Sequence, residues 1–139
     1  MADVTPIKKL LVANRGEIAR RIMRTAHDMG ISTVAIFAEG DARAPFVNEA
    51  DTAIFLEGRT STETYLDVEK VINACKRSGA DAVHPGYGFL SENEGFAQAI
   101  IDAGIKWIGP SPEVIGLMGD KLSAKNLMTE AGVPTLPAI

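Results

Sequence analysis

Five short apolar runs, each separated from the next by a stretch long enough for a helix, constrain what this chain can fold into more than any other feature. The runs are Ile7–Ala13, Ser32–Phe37, Ala53–Leu56, Asp81–His84 and Lys106–Ile108. Near-continuous apolar runs of this length fit strands buried on both faces, as in parallel sheets. Strands that alternate with helices form βαβ units, and these units build a parallel sheet with helices on both faces and right-handed crossovers. The expected class is therefore α/β.

The intervening segments carry helix signals. Glu17–Met29 is the first predicted helix, with Gly30 as its cap. Ile18, Ile22, Ala26 and Met29 recur near helical spacing and are expected to face the sheet. Glu17, Arg20, Arg21, Arg24 and Asp28 take the other face, with Glu17 and Arg21 placed as an i,i+4 pair. Glu39–Asp51 is polar, with a short helical turn expected after Pro45. Thr64 and Asp67 have the form of a capping box opening a helix to about Arg77, and Ser91 with Glu94 repeats that form before a helix ending at Gly104.

After Gly109 the alternation stops. Ser111-Pro112-Glu113 places a cap, a proline and an acid at the start of a short helix to Met118. Asp120 can cap another helix from Lys121 to Ala131, closed by Gly132 and followed by Val133-Pro134-Thr135-Leu136-Pro137. The expected division is an α/β domain over residues 1–109 and a helical linker over 110–139 that leads to a further domain. The chain then reads as a fragment of a larger protein.

Composition narrows the partners. A length of 139 residues suits one domain with a real core. A net charge of -4 argues against a dedicated nucleic-acid module, which would show a basic face. A lone cysteine, Cys75, excludes an internal disulfide framework and suits a reducing compartment. No stretch is long and uncharged enough to span a bilayer, and Met1–Pro6 has no secretory pattern, so a cytoplasmic soluble protein is expected.

Two turns carry chemical interest. Ligands bind open parallel sheets beyond the carboxyl ends of the strands. The first such turn, Ala13-Asn14-Arg15-Gly16-Glu17-Ile18-Ala19, has one glycine where the dinucleotide fingerprint needs three, and Asn14 and Arg15 stand where a pyrophosphate would approach. Glu39 could imitate the ribose-binding acid. A dinucleotide-binding oxidoreductase module is thus one alternative, and a non-catalytic dimerisation domain working through the arginine-bearing helix is another.

The second turn, His84-Pro85-Gly86-Tyr87-Gly88-Phe89-Leu90-Ser91-Glu92-Asn93, follows the fourth predicted strand. Tyr87 and Gly88 offer an aromatic face beside a backbone donor, a pairing that can hold a flat polar molecule. His84 precedes proline, and its preferred reading is a hydrogen-bonded structural histidine. Ser91 reads as a helix cap. Lys121 opens a helix against the macrodipole, which leaves two readings: a phosphate contact at a helix start, or a solvated lysine beside Asp120. No metal-ligand spacing and no Ser/His/Asp arrangement is present.

Leu11–Ala19, His84–Asn93, Trp107-Ile108-Gly109-Pro110 and Met118-Gly119-Asp120-Lys121 occur in register, and together they resemble the amino-terminal part of a biotin carboxylase. That family includes the biotin carboxylase components of acyl-CoA carboxylases and of pyruvate carboxylase. The resemblance implies a Rossmann-like domain preceding an ATP-grasp domain. It implies an enzyme that uses ATP and magnesium to activate bicarbonate and then carboxylates biotin on a carrier domain.

By motif, the resemblance places Lys121 on the ATP phosphates and Tyr87 and the Gly88 backbone beside the biotin and bicarbonate site. It places Arg21, Arg24 and Asp28 in a homodimer contact through the first helix. The partners it implies are the carrier domain and a carboxyltransferase. The magnesium-binding carboxylates, the catalytic base and the biotin-orienting arginine are implied downstream of Ile139, so no catalytic residue is expected within this chain, which is expected to be inactive alone. The final carboxyl acceptor is not implied.

Overall fold

Why the apolar runs become strands is visible in how they pack. The computed structural model describes residues 6–119. Five strands, β1 (Lys9–Val12), β2 (Ser32–Phe37), β3 (Thr52–Phe55), β4 (Ala82–His84) and β5 (Lys106–Trp107), form one sheet in the order β3-β2-β1-β4-β5. Every pairing is parallel, with Leu11 opposite both Val34 and Val83. This is the sheet that the strand–helix alternation predicts, with β2 at its expected bounds and the ends of the other strands within two residues of theirs.

Alternate residues of β1 feed opposite layers, as strand geometry requires. Leu11 and its neighbours Val34, Ile36 and Val83 pack on α3 (Val68–Ser78) and α4 (Glu94–Asp102) through Val71, Ala74, Phe96 and Ile100. Leu10 and Val12 pack with Ala35 and Ala82 on the other face. There they meet α1 (Gly16–Asp28) and α2 (Pro45–Glu49) through Ala19, Met23, Ala26 and Phe46. Each such large side chain, fully buried, contributes about 1.5–3 kcal/mol. The helical turn expected after Pro45 is α2.

Several local expectations are corrected. On α1 the buried residues are Ala19, Met23 and Ala26, whereas Ile18 and Ile22 are only partly buried and Met29 is 69% exposed. Ala26 alone of the four expected residues is buried, because the sheet-facing stripe is centred one residue further on. Glu17 pairs with Arg20 at 3.1 Å, not with Arg21, because Arg20 also reaches back to Glu49 of α2 at 2.8 Å.

Neither expected capping box starts its helix. Asp67, not Thr64, caps α3 by accepting from the Lys70 N–H at 3.0 Å. Thr64 instead donates to the Thr60 carbonyl at 2.7 Å. Asn93, not Ser91, caps α4 by accepting from the Phe96 N–H at 2.8 Å, while Ser91 lies in a 3-10 turn over Phe89–Glu92. In both cases the side chain immediately before the first helical residue reaches the orphan donors.

The short helix after Gly109 is α5 (Pro112–Gly119), with Ser111 Oγ accepting from the Val114 N–H at 3.3 Å. It packs on α4. Lys121 and the helix and proline segment expected after it lie outside the described residues.

Candidate functional site

The chain leaves β1 for β2 on one side and returns to β4 on the other, so the crevice beyond the carboxyl ends of β1 and β4 is the topological switch point. Two turns meet there. The Ala13 N–H, just past β1, donates to the His84 carbonyl at 2.9 Å, bringing the turns together. Asn14 then joins them. Its side chain is 1% exposed, and Nδ2 donates to the Pro85 carbonyl at 2.8 Å and to the Tyr87 carbonyl at 2.7 Å. Its Oδ1 accepts from the Arg15 N–H at 2.8 Å.

The loop so held has an uncommon backbone. Gly86 lies at φ 65, Gly88 at φ 70 and ψ -161, and Phe89 at φ 47. The Gly88 conformation is open almost only to glycine. At Gly86 a Cβ would also sit 2.6 Å from Asn14 Nδ2, so the side chain of residue 14 and the bare backbone of residue 86 require each other. Phe89 has a side chain in the left-handed region, at a cost of about 1–2 kcal/mol. Its ring rests on Tyr65, centroids 5.4 Å apart, and this contact offsets the strain.

Tyr65 ties the loop to a second network. Its hydroxyl donates to Asp41 at 2.6 Å and accepts from the Ala38 N–H at 3.1 Å. Asp41 is gripped by Arg15 through Nε at 2.7 Å and a terminal nitrogen at 2.6 Å. The Arg15 guanidinium is the main cause that holds the Asp41 carboxyl below its ordinary range, with Tyr65 adding to it against the opposing effect of burial. Burial, then the bond to Asp41, pushes the Tyr65 hydroxyl well above its ordinary value. Tyr65 is therefore a fixed neutral donor at physiological pH.

The expected site residues separate into groups. Tyr87, 78% exposed, projects from a loop whose backbone is pinned by a buried side chain. Gly88 is exposed beside it, and its N–H donates to no described residue. Tyr87 and Arg21 line the same mostly apolar groove of about 380 Å³, with Ile18, Ile22, His84 and Ile108. Arg24 is exposed on another flank of α1, beside Glu49 and His27, and Asp28 is exposed near the helix end.

His84 fits its structural reading: Nδ1 accepts from the Gly86 N–H at 3.0 Å, and burial lowers its pKa. Burial pushes the Cys75 thiol up to about 12, which leaves it unreactive. Glu39, the possible ribose acid, is exposed and paired with Arg59 at 2.9 Å. With Asn14 filling the approach to the first turn and Arg15 committed to Asp41, the crevice lacks the open glycine turn that a dinucleotide needs. Among the described residues, no cluster of His, Cys, Asp and Glu could hold a metal ion.

Comparison with known proteins decides the family. The model described as the biotin carboxylase N-terminal domain matches residues 6–115. The chain belongs to the biotin carboxylase amino-terminal domain family. The biotin-dependent acyl-coenzyme A carboxylase alpha3 subunit of Mycobacterium leprae is 55% identical over 131 residues, covering 94% of this chain and 22% of that protein. The biotin carboxylase of Halalkalibacterium halodurans is 51% identical over 130 residues, covering 94% of this chain and 29% of that protein.

Among solved structures, a multifunctional pyruvate carboxylase from Rhizobium etli superposes with a TM-score of 0.89 at 43% identity, over 97% of this chain and 13% of that one. This biotin carboxylase domain thus spans less than a third of the curated relatives just described. The family resemblance and the α/β fold read from the sequence are both borne out. Asn14, Asp41 and Tyr65 are the structural determinants that sequence reasoning missed. In the sequence Asn14 stands within the first of the four motifs and as an obstacle to a nucleotide, with nothing to mark it as an anchor.

Proposed function

We propose that the chain is the amino-terminal part of a biotin carboxylase catalysing the ATP- and bicarbonate-dependent carboxylation of carrier-bound biotin. This is the first half-reaction of an acyl-CoA or pyruvate carboxylase. The observation that carries the reading is the family match over residues 6–115, joined to a switch-point loop that presents Tyr87 and Gly88 on a pinned backbone.

In this reading Tyr87 and the Gly88 N–H face biotin and bicarbonate, an aromatic wall beside a backbone donor suited to a ureido ring or a small oxyanion. Lys121 contacts the ATP phosphates, since a lysine ammonium makes charge-assisted hydrogen bonds to phosphate oxygens. ATP does not use the crevice between β1 and β4, where the buried Asn14 side chain fills the approach to the first turn. Magnesium, which supplies charge neutralisation on the phosphates, is held by carboxylates from later in the longer protein, as are the catalytic base and the biotin-orienting arginine.

Residues 1–109 form the domain proper, and 110–139 lead toward an ATP-grasp domain. Arg21, Arg24 and Asp28 on the outer side of α1 make the homodimer contact. The carrier domain and a carboxyltransferase are the working partners, and the cytoplasm is the compartment. Among the described residues, no helix is long and apolar enough to cross a membrane.

The deciding experiment measures ADP release from the full-length polypeptide and from the 139-residue chain. Release from the full-length polypeptide that needs bicarbonate and rises with biotin is expected, with none from the short chain. A full-length polypeptide that shows no bicarbonate-dependent release overturns the assigned reaction. Release from the short chain overturns the division of labour.

A further inference from the structure

We infer that Asn14 is a positioning residue for biotin, acting through the loop that carries Tyr87 and Gly88; the inference rests on the function proposed above. Three observations converge on it. Both donors of one buried carboxamide are spent on carbonyls of this loop, at Pro85 and Tyr87, which bracket Gly86. The loop backbone turns through φ 65 and 70 at Gly86 and Gly88, which glycine adopts freely, and through φ 47 at Phe89, a conformation that a residue with a side chain keeps only where the surroundings over-determine it. The Tyr87 side chain so positioned is largely exposed and packs into no core, so its own fold contacts do not explain the anchoring.

A buried, fully bonded anchor beneath an exposed aromatic is the arrangement expected where a binding surface must be rigid before its ligand arrives. Asn14 touches neither ligand nor reacting atoms in this account. It sets where the Tyr87 carbonyl sits, and through the shared backbone the direction of the Tyr87 ring and the Gly88 N–H. The same geometry explains Gly86. Any side chain there would push the Asn14 carboxamide off both carbonyls.

The test uses two variants with different chemistry and one shared consequence. Asn14→Asp is nearly isosteric and keeps an oxygen for the Arg15 N–H, but as a carboxylate it loses both donated bonds. Gly86→Ala leaves Asn14 in the sequence and displaces it sterically. In the full-length polypeptide, both are expected to raise the KM for free biotin by roughly tenfold or more, with the KM for ATP held within about twofold. In the 139-residue chain, exchange of the loop's hydrogen-bonded amides, those of residue 86 and Ser91, is expected to speed up by roughly tenfold while exchange in β2 stays as it was.

Unchanged loop exchange in both variants overturns the anchoring. A loosened loop with an unchanged KM for biotin overturns the positioning role. A full-length polypeptide without bicarbonate-dependent ADP release refutes the reaction rather than the anchor, which the exchange measurement still decides. If one variant does not fold, the other carries both readouts.

Discussion

Asp41 receives two hydrogen bonds from Arg15, at 2.7 and 2.6 Å, and so fastens the turn after β1 to the turn after β2. The pair is one-sided in exposure: the Arg15 side chain is 48% exposed and that of Asp41 12%. Arg15 can regain water if its partner is lost. The Tyr65 hydroxyl, buried against Asp41, cannot.

Removing either acidic or phenolic partner should therefore cost stability through the group left behind. Asp41→Ala orphans the Tyr65 hydroxyl proton and is expected to cost about 2–3 kcal/mol. Tyr65→Phe orphans the Ala38 N–H and is expected to cost about 1–3 kcal/mol. Urea midpoints at neutral pH measure both. Midpoints equal to the parent would show that the network adds nothing.

Acid sensitivity should arise in two windows. Burial lowers the His84 pKa, so the unfolded chain takes up a proton near the ordinary value of 6.5 before the folded chain does. Stability that is full above that value declines as pH falls below it, until the folded imidazole also protonates. Asp41 acts lower: its carboxyl is held below 3.8, so its contribution is present above that value and is lost as pH falls through the depressed one. Denaturation at about pH 7.5 and 5.5 should show a smaller drop for His84→Asn than for the parent, whereas equal drops would remove His84 as the cause.

Helix α1 offers a direct check of which face is buried. Met23→Ala is expected to cost about 2–5 kcal/mol, because the side chain lies 1% exposed between the sheet and α2. Met29→Ala, at the exposed end of the same helix, should stay within about 0.5 kcal/mol. Thermal or urea denaturation of the two separates the faces, and the reverse order would restore the stripe through Met29.

Lys121 is best tested where the phosphates are. In the full-length polypeptide, Lys121→Met should weaken ATP binding by about 1.5–3 kcal/mol, the value of a charge-assisted hydrogen bond. Calorimetric titration of a non-hydrolysable ATP analogue reads this. An unaltered affinity returns Lys121 to the role of a solvated lysine beside Asp120.

The sheet was legible because buried parallel strands leave apolar runs, and Leu10-Leu11-Val12 or Val34-Ala35-Ile36 can do little else in water. Helix starts were less legible. Thr64 and Ser91 have the right spacing, yet spacing does not say which hydroxyl finds a helix donor and which turns to a nearer carbonyl, as Thr64 does. The candidate loop stood out by its glycines and aromatics. Its anchor did not, because Asn14 and Pro85 are 71 residues apart and nothing local in either turn records their meeting.

That separation has a consequence for how the domain comes into being. β1 is central in space but first in sequence, and its second neighbour, β4, begins at Ala82. A chain emerging from the ribosome can pair β1 with β2 early, but one side of β1 must wait, its backbone groups unpaired, until the residues from Ala82 onward have been made. Contacts of such long range are slow to form and leave an open strand edge during synthesis. Asn14 cannot close on Pro85 before then, so the loop that presents Tyr87 is set only when the second half of the sheet arrives.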